Sequence, residues 1–330
     1  MRRLALAACL LTASCGRYER FDLPSPGAGE AGAYEWTALE TPVQGRGPAG
    51  APDSVDALNP SVVQFGSGLL NLYSGYDGKQ WRTLSARSLD GLTWEDGPGV
   101  LAPDAATWEG GAIAANGAAL VRSVELHYWY QAGDPPRIGL ARSAGARTWT
   151  KEARPVLDYG PLGAWDERAL GDPYVFEHDG WLYMYYLGED RARRQRIGIA
   201  RSPDGVRWTR LTTNPVLDIG ADSSFDETGL GEPAVWPDRG WWWMLYTGRD
   251  RNEVRRMGLA RSRDGVKWER TPLVITSGQA WNSKVLCDAT VMVEQNRVRV
   301  WFGGGDVAHP AENIHGQIGY GELRWNPAKR

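Results

Sequence analysis

The chain has 330 residues, of which 42% are hydrophobic, and carries a formal net charge of −3. This composition predicts one large globular domain with a substantial apolar core, and we expect a monomer. The near-neutral charge and the lack of a long basic run exclude nucleic acid as a partner.

The first 15 residues are predicted to be a targeting segment and not part of the fold. Arg2 and Arg3 precede the apolar run 4–11, and the segment LTASC then ends at Cys15. A basic start, a short apolar stretch and small residues before the cleavage point are typical of a secretory signal. The pattern resembles the lipobox of bacterial lipoproteins, which implies that Cys15 becomes the acylated first residue of an exported protein.

The residues after this signal are expected to form a tether and then the folded domain. Residues 16–33 are rich in Gly and Pro and predict a flexible tether, with the domain at 34–330. After removal of the signal, Cys287 is the one cysteine left besides Cys15. The sequence therefore excludes an internal disulfide and a thiolate metal cluster, and we interpret Cys287 as a small buried residue and not a nucleophile.

A single strand is predicted around Trp36, which is followed by Pro42 and Val43. The same pattern recurs at Trp149 and Trp208, where three strand-like segments precede it. No such segments precede Trp36, so we predict that its strand pairs at the outer edge of the last unit of the chain. That pairing would cover a free sheet edge, and an unattached N-terminal strand is the alternative.

A short segment recurs along the chain roughly every 60 residues. Each copy accompanies four segments rich in β-branched and aromatic residues, separated by Gly, Asp and Pro turn signals. Five such units predict an all-β fold, a five-bladed β-propeller of four-stranded antiparallel blades closed by the N-terminal outer strand. The copies read ARSLDGLTW at Ala86, ARSAGARTW at Ala141, ARSPDGVRW at Ala200, ARSRDGVKW at Ala260 and, in degenerate form, GYGELRW at Gly319.

The predicted innermost strands share a polar residue near their start, usually before proline. They read LNPSVV at Asn59, GDPYVF at Asp172, GEPAVW at Glu232 and CDATVM at Asp288, whereas the second blade diverges at WEGGAI, residues 108–113. The inner strands of a propeller begin at one end of its axis, so these side chains should share a pocket. Crowded carboxylates push their pKa values apart, as acid–base catalysis requires. The alternative is that each polar residue only forms the turn into its strand.

At these positions the chain resembles the five-bladed propeller glycosidases of glycoside hydrolase families 43, 62, 32 and 68, and more distantly family 130. The resemblance to family 43 implies a general acid at Glu232 and a pKa-modulating residue at Asp172. It also implies a base Asp in the first blade, where this chain has Asn59. Asp56 is the candidate replacement base, with loop bracing as its alternative role. A central structural ion such as calcium is implied too, but we predict no cofactor and no metal ligand from the sequence.

Further residues are candidates for binding the substrate. Trp108 and Glu109 stand in the divergent blade, and Arg191 and Arg251 follow turns that face the same end of the axis. Two histidines lie in the longest of these loops, 303–316, where polar residues often carry function. With Asn59 and Asp288, the predicted substrate-binding set is Trp108, Glu109, Arg191, Arg251, His309 and His315.

Two functions from different classes remain. One is a lipid-anchored glycosidase that acts on poly- or oligosaccharide at the bacterial cell envelope, at the outer membrane or cell surface. The other is a noncatalytic propeller lipoprotein that binds a glycan or a protein, because Asn59 cannot accept a proton from water.

Overall fold

The computed structural model describes residues 17–329, so the predicted signal peptide and Cys15 lie outside the described residues. These residues form strands and loops with one short 3-10 helix at Ala280–Asn282. Within this range no helix is both long and apolar enough to cross a membrane. The strands are β1 (Arg17–Glu19), β2 (Ala33–Ala38), β3 (Asp56–Phe65), β4 (Gly68–Tyr76), β5 (Trp81–Ser88), β6 (Glu95–Asp96), β7 (Ile113–Arg122), β8 (Glu125–Gly133), β9 (Pro136–Ser143), β10 (Thr150–Lys151), β11 (Ala169–His178), β12 (Trp181–Glu189), β13 (Gln195–Ser202), β14 (Thr209–Leu211), β15 (Gly229–Asp238), β16 (Trp241–Arg249), β17 (Arg255–Ser262), β18 (Trp268–Ile275), β19 (Val285–Glu294), β20 (Arg297–Gly305) and β21 (Gln317–Asn326).

Most of these strands pair as antiparallel four-stranded units. The units are β3–β4–β5–β6, β7–β8–β9–β10, β11–β12–β13–β14, β15–β16–β17–β18 and β19–β20–β21–β2. In the last unit β2 lies at the outer edge, with Trp36 opposite Leu323. The strand around Trp36 therefore has the partner that the sequence predicts.

The apolar core lies between consecutive units, because the first three strands of each unit bury side chains on both faces. Between the third and fourth units, for example, Tyr183 and Tyr185 pack in one cluster with Trp242 and Met244. Tryptophans at the outer strands of the units pack against these clusters, where large aromatic side chains fill the space between units. They are Trp36, Trp94, Trp149, Trp208 and Trp268.

The described part of the predicted tether packs on the outside of the units, which differs from the expected flexible segment. β1 pairs in parallel with β14, and Phe21 and Leu23 are buried in the core cluster of the third and fourth units. Further on, Glu30 donates its backbone N–H to the carbonyl of Arg239 in the fourth unit. The Gly and Pro content of this segment predicts flexibility. The segment is nevertheless held in place, because it pairs with a strand and buries two apolar side chains.

The first strands of the units pack side by side and position the site. β7 lies between β3 and β11, and β15 lies between β11 and β19, which in turn packs against β3. The residues near the start of these five strands therefore face a common volume.

Candidate active site

The first strand of every unit contains the same bulge near its start. Strand pairing skips two residues, for example between Leu58 and Ser61, and the first skipped residue has a left-handed backbone. A bulge turns one side chain out of the regular alternation, and Asn and Asp adopt this backbone more readily than other non-glycine residues. The five residues and their φ angles are Asn59 (49°), Asn116 (49°), Asp172 (48°), Glu232 (53°) and Asp288 (56°).

In the second unit the bulge residue is Asn116, which we did not predict from the sequence. We interpreted residues 108–113 as the divergent copy, but the bulge lies between Ala115 and Ala118. Here Asn-Gly replaces the X-Pro pair, and Asn-Gly is itself a strong signal for positive φ. The side chain of Asn116 is held by Ser74, whose hydroxyl donates to its Oδ1 at 2.9 Å.

All five bulge residues line one cavity of about 500 Å³ at the centre of the units. Asp288 donates its backbone N–H to Oε2 of Glu232 at 3.1 Å. The side-chain amide of Asn59 donates to Oδ1 of Asp288 at 2.6 Å. The structure thus brings together Asn59, Asp172, Glu232 and Asp288, as the sequence predicts, and adds Asn116.

The carboxyl groups of this cluster are electrostatically coupled. Burial, and then the negative charge of Glu232, raise the pKa of Asp172 to about 8. The same two causes raise the pKa of Asp288 well above its usual value. Like charges in a poorly solvated site cannot all ionise, so the cluster holds protons at neutral pH. A group that can donate a proton is therefore present in the cavity.

The cluster does not fit the calcium ion that the resemblance to family 43 implies. Glu232, Cys287 and Asp288 offer donor atoms within 4.8 Å of one another. Burial, and then the charge of Asp288, raise the pKa of the Cys287 thiol well above its usual value. Calcium takes six to eight oxygen ligands, and a buried protonated thiol is a poor donor for it.

Asp56 lies outside the cavity wall, in a position that fits the alternative of loop bracing. Its fully buried carboxylate accepts backbone N–H groups from Asn313 at 2.7 Å, Ile314 at 3.1 Å and Gly316 at 2.7 Å. Three such bonds use up the oxygen lone pairs that face the loop, so the geometry does not support Asp56 as the base.

Trp108 and Glu109 belong to the packing of the second unit and not to the cavity. Glu109 is 2% exposed and accepts hydrogen bonds from the hydroxyl of Tyr130 and the ammonium of Lys151. Trp108 packs against Tyr130. The guanidinium carbon of Arg137 lies over the ring of Trp108, 5.5 Å from its centroid. Neither residue lines the cavity.

The predicted arginines and histidines of the loops lie on the surface, beyond the cavity wall. Arg191 pairs with Glu167, and Arg251 pairs with Glu227. Nδ1 of the exposed His315 lies 2.8 Å from Oδ1 of Asp306, and His309 is also exposed. The structure does not bring these four predicted substrate-binding residues to the cavity.

The cavity wall instead contains charged residues at the very ends of strands. Arg168 pairs with Glu189, which accepts a hydrogen bond from Gln195 at 3.2 Å, and Arg249 donates to Gln195 at 2.8 Å. Glu189 and Arg249 are the last residues of β12 and β16. Our sequence candidates in these turns stand two residues further on, where the chain has already left the wall.

Comparison with known proteins gives similarity to carbohydrate-active enzymes. Residues 70–215 match the glycosyl hydrolases family 32 N-terminal domain. An uncharacterized protein of Mycobacterium tuberculosis strain CDC 1551 is 26% identical over 170 residues, which are 48% of this chain and 56% of that protein. A 1,2-beta-oligomannan phosphorylase of Thermoanaerobacter is 28% identical over 131 residues, or 37% of this chain and 43% of that protein. The chain thus spans about half the length of the curated relatives it matches.

A solved structure extends the similarity over most of the chain. A family 117 glycoside hydrolase from the marine bacterium Zobellia galactanivorans matches with a TM-score of 0.66 and 16% identity, covering 89% of this chain and 91% of that one. At this identity the match concerns the fold. The protein therefore has an all-β fold of the kind found in β-propeller glycosidases.

Proposed function

We propose that the protein is a glycosidase, which binds a poly- or oligosaccharide in the central cavity and hydrolyses a glycosidic bond there. The observation that carries this proposal is the cluster of Asp172, Glu232 and Asp288 in a cavity of sugar-binding size. Glycoside hydrolysis needs a proton donor at the leaving oxygen, and this cluster holds protons at neutral pH.

In this proposal Glu232 is the general acid. It belongs to the wall of the cavity, and the backbone N–H of Asp288 fixes one of its oxygens at 3.1 Å. Asp172 is its modulator, because the charges of the two carboxyl groups influence one another. Coupled carboxyl groups share their protons, so in this proposal a proton held by the cluster is the one that Glu232 passes to the leaving oxygen.

The architecture in this proposal is a closed ring of five blades, each a four-stranded unit. The packing of β19 against β3 and the pairing of β2 with β21 support closure. We also propose the lipoprotein form, with acylation at Cys15 and location at the cell envelope. The segment from Arg17 onwards packs on the third to fifth units, so such an anchor would hold the protein close to the lipid surface.

Phosphorolysis is a second candidate, favoured by the chemistry of the cavity wall. The first unit offers the amide of Asn59, and inorganic phosphate needs no base because it is already a nucleophile. Arg168, Arg249 and Arg255 also line the cavity and are suited to an oxyanion. The partial similarity to an oligomannan phosphorylase agrees with this alternative.

A panel of aryl glycosides and of arabinan and mannan oligosaccharides, with and without phosphate, tests the proposal. We expect turnover without phosphate, and a loss of about 10²- to 10⁴-fold in kcat for Glu232→Gln. Glu177→Gln is the matched control, because Glu177 is an exposed residue of β11, the first strand of its unit, and is absent from the cavity wall. Turnover that requires phosphate supports the second candidate, whereas glycan binding without any turnover overturns both and supports a binding protein.

A further inference from the structure

We infer that Glu312, carried by the loop between β20 and β21, is the general base that activates water in this cavity. The inference rests on the proposed hydrolysis. The proposed hydrolysis needs a base, but Asn59 has no carboxylate and Asp56 is engaged in bracing the loop.

Glu312 is a free carboxylate in the cavity wall. It lines the same cavity as Glu232 and is partly exposed there. Among residues 17–329, no hydrogen-bond or ion-pair partner of its side chain is found. A carboxyl group that is exposed to a cavity and not engaged by the protein is available to a water molecule or a substrate.

The loop that carries Glu312 is fixed on both sides of it. After Glu312, the buried carboxylate of Asp56 accepts the three backbone N–H groups described above, and Asn313 and His315 have left-handed backbones. Before it, Nη2 of Arg255 donates to the carbonyls of His309 and Pro310, each at 3.0 Å. Burying a charge to hold a surface loop is costly, and strained backbone tends to occur at functional sites. Both point to a loop whose position matters for the cavity.

Glu312 lies near Tyr76 of the first unit, and Ala311 just before it contacts Arg255 of the fourth unit. Burial, and then the negative charge of Glu312, raise the pKa of Tyr76 at the end of β4. Tyr76 stacks on Trp81, which lines the cavity, with ring centroids 4.9 Å apart. The half-buried indole of Trp81 lines the same cavity as Glu312 and is a suitable platform for a sugar ring.

The proposed acid lies on a first strand that is not a neighbour of β3, because β19 lies between β3 and β15. Glu312 stands by β3, whereas Asp172 and Glu232 lie on β11 and β15, and β7 and β19 separate these strands from β3. Hydrolysis with inversion needs an acid and a base on opposite faces of the sugar, roughly 6.5 to 9.5 Å apart. A cavity of about 500 Å³ that both residues line has room for a sugar and a water.

The chemical step is balanced between these two residues. Glu312 accepts one proton from water while the water oxygen bonds to the anomeric carbon. The bond from that carbon to the leaving oxygen breaks, and Glu232 donates a proton to the leaving oxygen. One water is consumed, the product sugar has the inverted configuration, and exchange with solvent restores both carboxyl groups.

Kinetics of Glu312→Gln and Glu312→Ala test the inference on any substrate that the unmodified protein turns over. We expect kcat to fall about 100-fold or more in both, with a small change in KM. The limb of the pH profile that rises with deprotonation of the base should disappear. Azide should restore turnover to Glu312→Ala and yield the glycosyl azide of inverted configuration, since a small anion needs no base. Asp306→Asn is the matched control, an exposed acid of the same loop that is absent from the cavity wall.

The outcomes separate this inference from the proposed function. If Glu312→Gln keeps activity within about threefold while Glu232→Gln loses it, the base is elsewhere and the glycosidase proposal stands. Turnover that depends on phosphate also overturns the role of Glu312, because no water is activated. If the unmodified protein turns over nothing in the panel, both proposals fail. Glu312→Gln should keep the thermal unfolding midpoint of the unmodified protein, and a large drop would instead assign Glu312 to loop structure.

Discussion

Two features recur in the units: the inner bulge near the start of the first strand, and the outer turn, which belongs to the recurring segment before the last strand. They differ in whether the residue types recur together with the backbone shape. In the outer turn of the third unit, the Ser202 hydroxyl accepts the backbone N–H of Gly205, and Asp204 accepts those of Val206 and Arg207. The first and fourth units make the same bonds with the same residue types. In the inner bulge the backbone is constant, while the side chain is Asn, Asp or Glu.

This difference shows which positions are free to carry chemistry. Where side-chain oxygens build the turn, the residue types must stay the same in each copy. Where the backbone alone makes the bulge, the side chain is released toward the cavity and can change from unit to unit. The proposed function therefore uses the repeat position whose backbone geometry is constant and whose residue type varies.

The two regions also treat a negative charge in opposite ways. Asp172 in the inner bulge has a pKa raised to about 8 by burial and by Glu232. At the outer turn burial alone would raise the pKa of Asp204, but backbone N–H groups of Arg207 and Val206 outweigh it and lower the pKa to about 2. The inner site penalises the charged carboxylate, whereas the outer turn is stabilised by it.

Asp172→Asn is expected to have the largest effect, in opposite directions on activity and stability. Activity should fall about 100-fold, because the coupling to Glu232 is lost. An Asp in an unfolded chain titrates near about 3.9. Since the folded protein binds this proton more tightly, its stability falls as the pH rises from about 4 to about 8. The variant should therefore unfold several degrees higher than the unmodified protein at pH 8, and at a similar temperature near pH 4.

Asp204→Asn provides the contrast for this experiment. The pKa of Asp204 is lowered on folding, so its contribution is present above about pH 4 and is lost as the pH falls toward about 2. The variant should unfold at a lower temperature at pH 8 and keep its activity. Thermal unfolding followed by circular dichroism measures both variants. Shifts of the same sign at pH 8 would contradict the difference between the two regions.

Asn59→Asp tests whether the amide side of the cavity must stay uncharged. The change replaces the amide that donates to Asp288 at 2.6 Å and adds a carboxylate to a coupled cluster. We expect a loss of about 1–3 kcal/mol in the free energy of unfolding at neutral pH, and a smaller loss in acid, where a carboxyl group can donate. Urea unfolding at pH 5 and pH 8 measures it.

Asn116→Asp is the matched control, because the hydroxyl of Ser74 already donates to Oδ1 at this position. A carboxylate keeps that bond and is accommodated at lower cost. Equal losses of stability in the two variants would mean that the cavity as a whole rejects charge, and that the contact with Asp288 is not special.

Much of the fold and part of the site could be predicted from the sequence, for physical reasons. The recurring turn allowed the strands and their order to be predicted. That order identified Asp172 and Glu232 as equivalent positions of two inner strands. Asn116 was missed because an Asn-Gly bulge does not look like an X-Pro one. Glu189 and Arg249 were missed because the last residue of a strand and the turn after it share the same polar composition. The packing of Phe21 depends on a surface that only the folded units create.

The second unit is an exception among the outer turns and permits the last prediction. Gly145 stands where the first, third and fourth copies have Asp, and the Ser143 hydroxyl is buried without a hydrogen-bond partner among the described residues. Nothing lies within 4 Å of a Cβ atom at Gly145, so Gly145→Asp has room to accept the N–H groups that Asp204 accepts in the third unit. We expect a gain of about 1 kcal/mol in the free energy of unfolding, with unchanged activity. Gly145→Ala removes the same backbone freedom without the carboxylate and should gain less. If the two variants gain equally, the aspartate side chain is not what stabilises the outer turn, and the contrast with the inner bulges loses its physical basis.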